Sequence, residues 1–114
     1  MTQYLDAYVE TRWTGAGWVG RVTIGKRALD LVLPLPASIS QAYAEASTVY
    51  EAAGSIPLLV GGSDLLITLH LKEQVAVDIV NTDPRINQRM GAIAYVAIVD
   101  PPQGADTSTS ARED

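Results

Sequence analysis

Hydrophobic and polar positions alternate almost from the first residue. Between residues 4 and 13, Leu5, Ala7, Val9 and Trp13 fall on one face, with Asp6, Glu10 and Arg12 on the other. That period of two marks a half-buried strand. Thr14-Gly15-Ala16-Gly17 then turns the chain so that Trp13 faces Trp18, and the same register sets Val9 against Val22 and Ala7 against Ile24. Gly25-Lys26, with glycine first, suits a two-residue hairpin and aligns Val22 with Leu29 and Trp18 with Leu33. The reverse face of this meander carries Glu10, Arg21 and Asp30 side by side. Opposite charges directly across strands support the register. A carboxylate pair around an arginine is also a catalytic arrangement, but a solvated sheet face is the expectation here.

Pro34 and Pro36 end the third strand, because neither can donate to a ladder. Ser38 with Gln41 forms a capping pattern for a helix over residues 39–53, and Gly54 is placed to close it in the left-handed conformation. Ile39, Ala42, Tyr43, Ala46, Val49, Tyr50 and Ala53 recur at helical spacing, a stripe expected to pack on the Trp13, Trp18, Val22 and Leu31 face of the sheet. Beyond the short apolar run Ile56–Val60, residues 65–71 alternate through Leu65, Ile67, Leu69 and Leu71, and residues 75–79 through Val75, Val77 and Ile79. Matching those faces predicts a hairpin with Lys72-Glu73-Gln74 as its loop. Pro84 to Met90 reads as about two helical turns. Residues 92–99 are apolar on both faces, as in a strand that is central or covered by a partner. The fold expected is therefore α+β: antiparallel sheet or sheets built from a meander, one amphipathic helix, a hairpin and a final buried strand. Residues 1–100 form one domain in this reading. Residues 101–114, Pro-, Ser- and Thr-containing and acidic, form a tail expected to be disordered on its own.

Composition narrows the chemistry. Apolar residues make up 47% of the 114 residues, enough for a core, while only 18% are charged, so much of the surface is neutral. Cysteine is absent and there is one histidine, which removes disulfides, thiolate nucleophiles and multi-histidine metal sites. The net charge of −5 is concentrated at the end: from Asp100 onward there are four acids and a single base, Arg112. A nearly neutral body without a basic stripe does not suit nucleic acid. No apolar run reaches membrane-span length, and Asp6 and Glu10 interrupt any signal peptide. The expectation is a cytoplasmic protein, or a virion protein if viral, bound neither to membrane nor to nucleic acid.

Two local features invite a chemical role. In the predicted hairpin His70 lies diagonal to Asp78, with Thr68 opposite that aspartate, a set that could move a proton. No activated nucleophile or oxyanion site accompanies it, so no catalytic or metal site is expected. The second feature runs through Pro36-Ala37-Ser38-Ile39 to Ala44, then Pro57-Leu58-Leu59-Val60-Gly61-Gly62-Ser63-Asp64-Leu65-Leu66, then Val77-Asp78-Ile79-Val80. Covering under half of the chain, it resembles the flavin-binding subunit of molybdenum-containing hydroxylases. That resemblance implies Gly61, Gly62, Ser63 and Asp64 as pyrophosphate contacts of a small ligand- or flavin-binding module. The meander upstream, and strand-like alternation where that family has a helix, depart from its pattern.

Without a catalytic set, and with more apolar surface than one helix covers, the chain is expected to be no enzyme and to need no cofactor. The reading is a non-catalytic structural or assembly subunit, bound to protein partners or to copies of itself in a larger complex, a virus or phage virion included. Interface candidates are Tyr4 and Tyr8 on the charged face of the first strand, and Ile93, Tyr95 and Val99 in the last.

Overall fold

The computed structural model describes residues 2–60 and 64–100. Strands β1 (Gln3–Trp13), β2 (Trp18–Ile24) and β3 (Arg27–Leu33) lead into helices α1 (Gln41–Ala53) and α2 (Ile56–Val60). Then follow β4 (Leu65–Leu71), α3 (Gln74–Thr82), α4 (Pro84–Met90) and β5 (Ala94–Val99). All five strands form one sheet in the order β3-β2-β1-β4-β5.

The meander has the register its sequence predicts. Trp13 pairs with Trp18, Val9 with Val22, Ala7 with Ile24, Val22 with Leu29 and Trp18 with Leu33. Gly25 turns the second hairpin at φ +61, where a side chain would be strained. Thr14 braces the first hairpin, its hydroxyl donating to the Gly17 carbonyl at 2.9 Å and accepting from the Ala16 and Gly17 N–H groups.

The sheet is mixed, not antiparallel throughout. β4 runs parallel to β1, and β5 parallel to β4. The expected hairpin after residue 71 does not form, because Gln74–Thr82 is α3. Val75, Val77 and Ile79 alternate, but the side chains that enter the core are Ala76, Val77 and Val80, a helical spacing. A parallel partner demands a crossover, and α3 with α4 supplies it. β5 is consequently an edge strand and not a central one, with Ala97 and Val99 buried and Val96 and Ile98 turned outward. The edge is blunted locally. The Asn81 side chain donates to the Ala97 carbonyl (3.0 Å) and accepts from its N–H (2.8 Å), occupying both backbone groups as a neighbouring strand would.

The helices pack on one face of the sheet. α1 crosses β1, β2 and β3 and touches α3 and α4, while α3 lies over β4 and β5. The main core joins Val9, Val22, Ile67, Leu69 and Leu71 to Val49, Ala52, Ile56, Val80, Ile86 and Met90. A smaller cluster of Trp18, Leu33 and Ala44 is pinned where the Trp18 indole N–H donates to the Pro36 carbonyl at 3.0 Å.

α1 starts later and rotates further than its apolar stripe suggests. Ser40, not Ser38, caps it by accepting from the Tyr43 N–H, and Gly54 closes it with φ −68, in the right-handed region. Tyr43 is exposed, whereas Ala44, Glu45 and Thr48 are buried. Thr48 fits because Gly20 of β2 lies beneath it; a Cβ there would sit 2.6 Å from the threonine side chain. The threonine hydroxyl donates to the Ala44 carbonyl and meets the Thr11 hydroxyl at 2.6 Å, so the buried polar group is satisfied.

β1 is the strand both halves share. It pairs with β4 over residues 3–8 and with β2 over 7–13. Past Tyr8 its β4 side is bare, and α1 fills the gap. Gln41 donates to the Thr11 carbonyl at 2.7 Å, and the fully buried Glu45 carboxylate accepts from the Lys72 and Glu73 N–H groups just beyond β4, at 3.0 and 3.2 Å. These are the unpaired donors where α3 begins, so a carboxylate there is favoured by charge as well as by hydrogen bonding.

Candidate interaction face

The face opposite the helices carries three rows across β1, β4 and β5: Tyr4-Leu66-Ala94, Asp6-Thr68-Val96 and Tyr8-His70-Ile98. Strand alternation places them together, since every second residue of each strand shares this face. No described helix packs on it. Leu66 is half-buried, Val96 and Ile98 are 39% and 38% exposed, and Tyr4 and Tyr8 are more exposed still. Leu66, Val96 and Ile98 thus lie on the uncovered face together with the polar Asp6, Thr68 and His70.

His70 stands in the last row of this face, between Tyr8 and Ile98, its side chain only 13% exposed. Its ring stacks on Tyr8 with centroids 4.5 Å apart and planes 15° from parallel. Nε2 lies 2.9 Å from Asp6 Oδ1 and Nδ1 lies 3.7 Å from Asp100 Oδ2. Nδ1 is buried without a hydrogen-bond partner. Asp100 is held there because its own N–H donates to the Leu71 carbonyl at 2.7 Å, extending the ladder by one residue. The imidazole thus joins β1, β4 and the end of β5.

The Thr68, Asp78 and His70 set of the predicted hairpin does not come together. Asp78 lies on α3, where its carboxylate accepts from the Gln74 amide, while Thr68 sits beside Asp6 and Val96. Among the described residues no group of three or more His, Asp and Glu side chains is placed to hold a metal ion. Past Tyr8, the gap between β1 and the end of β4 is bridged by Gln41 and Glu45.

Over β1–β3 the same face changes character. Glu10, Arg21 and Asp30 form the expected ladder, with Arg21 Nε 2.6 Å from Asp30 Oδ1. Arg21 holds the Asp30 carboxyl below the usual carboxylate range, chiefly through that hydrogen bond. These groups, with Arg12, Val19, Val32 and Lys72, line an open groove of about 600 Å³. Both members of the ion pair are well solvated, and the apolar side chain of Val32 beside them is 84% exposed.

The interface candidates read from sequence divide between the two faces. Tyr4 and Tyr8 are on the outer face, whereas Ile93 and Tyr95 are half-buried against the core and Val99 is buried in it. Val96 and Ile98, outward between them, are the residues sequence reasoning passed over. Alternation counted from Val99 would have found them. Of the glycine loop, Gly61, Gly62 and Ser63 lie outside the described residues. Asp64 has φ +59, and it ties β4 to β1 by accepting at its carbonyl from the Gln3 N–H and at its carboxylate from the Thr2 hydroxyl. The acidic tail, residues 101–114, also lies outside the described residues. No described helix is long and apolar enough to cross a membrane. No family model matches the chain, and no curated protein matches it in sequence.

Proposed function

We propose that this chain is a non-catalytic assembly subunit that works through protein–protein contacts, with the outer face of β1, β4 and β5 as its contact surface. The observation that carries the reading is the strip formed by Leu66, Val96 and Ile98 with Tyr4 and Tyr8, uncovered on a sheet whose other face carries the helices. One further feature supports it. The nearby edge strand is blocked at its middle by Asn81, which favours contact through the face over strand addition at the edge.

Native sizing of the chain isolated from its source tests the reading. The wild type should run in a larger complex. Val96→Asp and Ile98→Asp should release it as a folded monomer with unchanged circular dichroism. A wild-type chain that already runs as a monomer, or a complex indifferent to both substitutions, would overturn the proposal.

A further inference from the structure

We propose that His70 is a pH-operated clamp, which fastens the end of β5 to the rest of the sheet when its ring takes up a proton. The imidazole projects from β4 between two carboxylates. Asp6 of β1 lies 2.9 Å from Nε2, and Asp100, the residue after β5, lies 3.7 Å from Nδ1. A neutral ring carries one N–H and one bare lone pair, whereas ionised carboxylates only accept. Either tautomer therefore turns a lone pair on one of the two. The closer contact places the N–H on Nε2, and the side left over is Nδ1, which is buried and has no hydrogen-bond partner. Only the imidazolium offers a donor to each carboxylate, and its new N–H turns repulsion of Asp100 into attraction.

The groups around the ring come from three strands. β1 supplies Asp6 and Tyr8, the end of β4 supplies Lys72, and the end of β5 supplies Asp100. No described helix packs on this face. Tyr8, stacked with its centroid 4.5 Å away, fixes the tilt of the imidazole between the two acids. Asp100 is held by two main-chain contacts as well: its N–H donates to the Leu71 carbonyl at 2.7 Å, and its carbonyl accepts from Lys72 Nζ at 3.3 Å. Of its three contacts, the one to His70 is the one whose sign a proton on the ring reverses. Asp100 directly precedes the acidic residues 101–114, so the clamp governs the point at which that segment leaves the sheet. The device lies within the chain and works whatever the outer face binds.

The chain has a single histidine, so NMR of the full-length, nitrogen-labelled protein reads the protonated fraction of His70 directly from its two ring nitrogens. The titration runs from about pH 8 to pH 5, above the range in which carboxylates ordinarily titrate. Protection of the Asp100 N–H against exchange, corrected for the intrinsic rate at each pH, should rise about threefold in step with that fraction, the size of one partly exposed charge contact. Amides of β2 should show no such rise. In Asp100→Asn the rise should vanish, because an amide can donate to the neutral Nδ1 and loses that bond on protonation. His70→Gln should also show none, with circular dichroism confirming that both variants keep the fold. Protection of Asp100 that stays flat across the titration, or that rises equally in β2 or in Asp100→Asn, would overturn the clamp. So would a ring that remains neutral until the chain unfolds.

Discussion

The two halves of the sheet solve the same problem differently. In the meander of β1, β2 and β3, side chains alternate between a packed face and a solvated one, and the solvated face carries its own ion-pair ladder. In β4 and β5 the uncovered side is mixed, with Leu66, Ala94, Val96 and Ile98 apolar beside Thr68 and His70. Antiparallel ribbons commonly expose one face, whereas parallel strands rarely do. The difference shows which part of the outer face is solvated by its own ion pairs and which part carries uncovered apolar side chains.

Substitutions can press on each half in turn. Ile67 is fully buried at the centre of the parallel half, and Ile67→Ala should cost about 2–5 kcal/mol, read by denaturant unfolding. The matching lesion in the meander is Gly20→Ala, whose new methyl group would press on Thr48. An overpacking cost of about 1–3 kcal/mol is expected, largely relieved by adding Thr48→Ala. If the double variant is no better than the single, the close approach of α1 to β2 is not what the glycine serves.

Asn81→Leu removes both hydrogen bonds to Ala97. It should cost about 1–3 kcal/mol and produce concentration-dependent light scattering as the β5 edge opens. The same assay on Asp30→Ala, at the other edge, should show no scattering.

The smallest effect concerns Asp83, which caps α4 by accepting from the Arg85 N–H at 2.8 Å and pairs with the Arg85 guanidinium. The side-chain hydrogen bond from Arg85, followed by the backbone one, holds its carboxyl below the usual range near pH 4. Stability from this cap is therefore present above about pH 4 and is lost as acid titrates the folded group. Asp83→Asn should lower the melting temperature slightly at pH 7 and less, or not at all, near pH 2. A constant difference across that range would show that the carboxylate charge is irrelevant.

What the sequence revealed follows the range of the interactions. The meander register was legible because its turns are local and Glu10, Arg21 and Asp30 agree only when the strands are aligned correctly. The helix α4 was legible from Pro84, which fits the first turn. α3 was hidden because β-branched residues at alternate positions imitate a strand, and the stop at Lys72-Glu73 looks like a hairpin loop until Glu45 is seen to cap it. That contact joins residues far apart in the chain, and a glutamate within a helical pattern ordinarily reads as solvated. The outer face depended on strand order, which alternation within single strands does not encode. Its tyrosines were found, but Val96 and Ile98 were credited to a strand buried on both sides.

The sharing of β1 has a consequence for how the molecule comes together and comes apart. Only Ala7 and Tyr8 belong to both ladders, so the two halves meet in a short lap joint, with α1 as the splint across it. The meander closes through contacts between sequence neighbours, whereas Gln3 must find Leu65 across most of the chain before β4 and β5 can add. Loop closure over that span makes the second ladder the slower to zip. Pulse-labelled amide exchange during refolding should therefore divide the sheet within β1 itself, protecting the Trp13 end before the Gln3 end. A neighbour seated on β4 and β5 would then act as a latch, slowing exchange in the half it touches and leaving the meander unchanged.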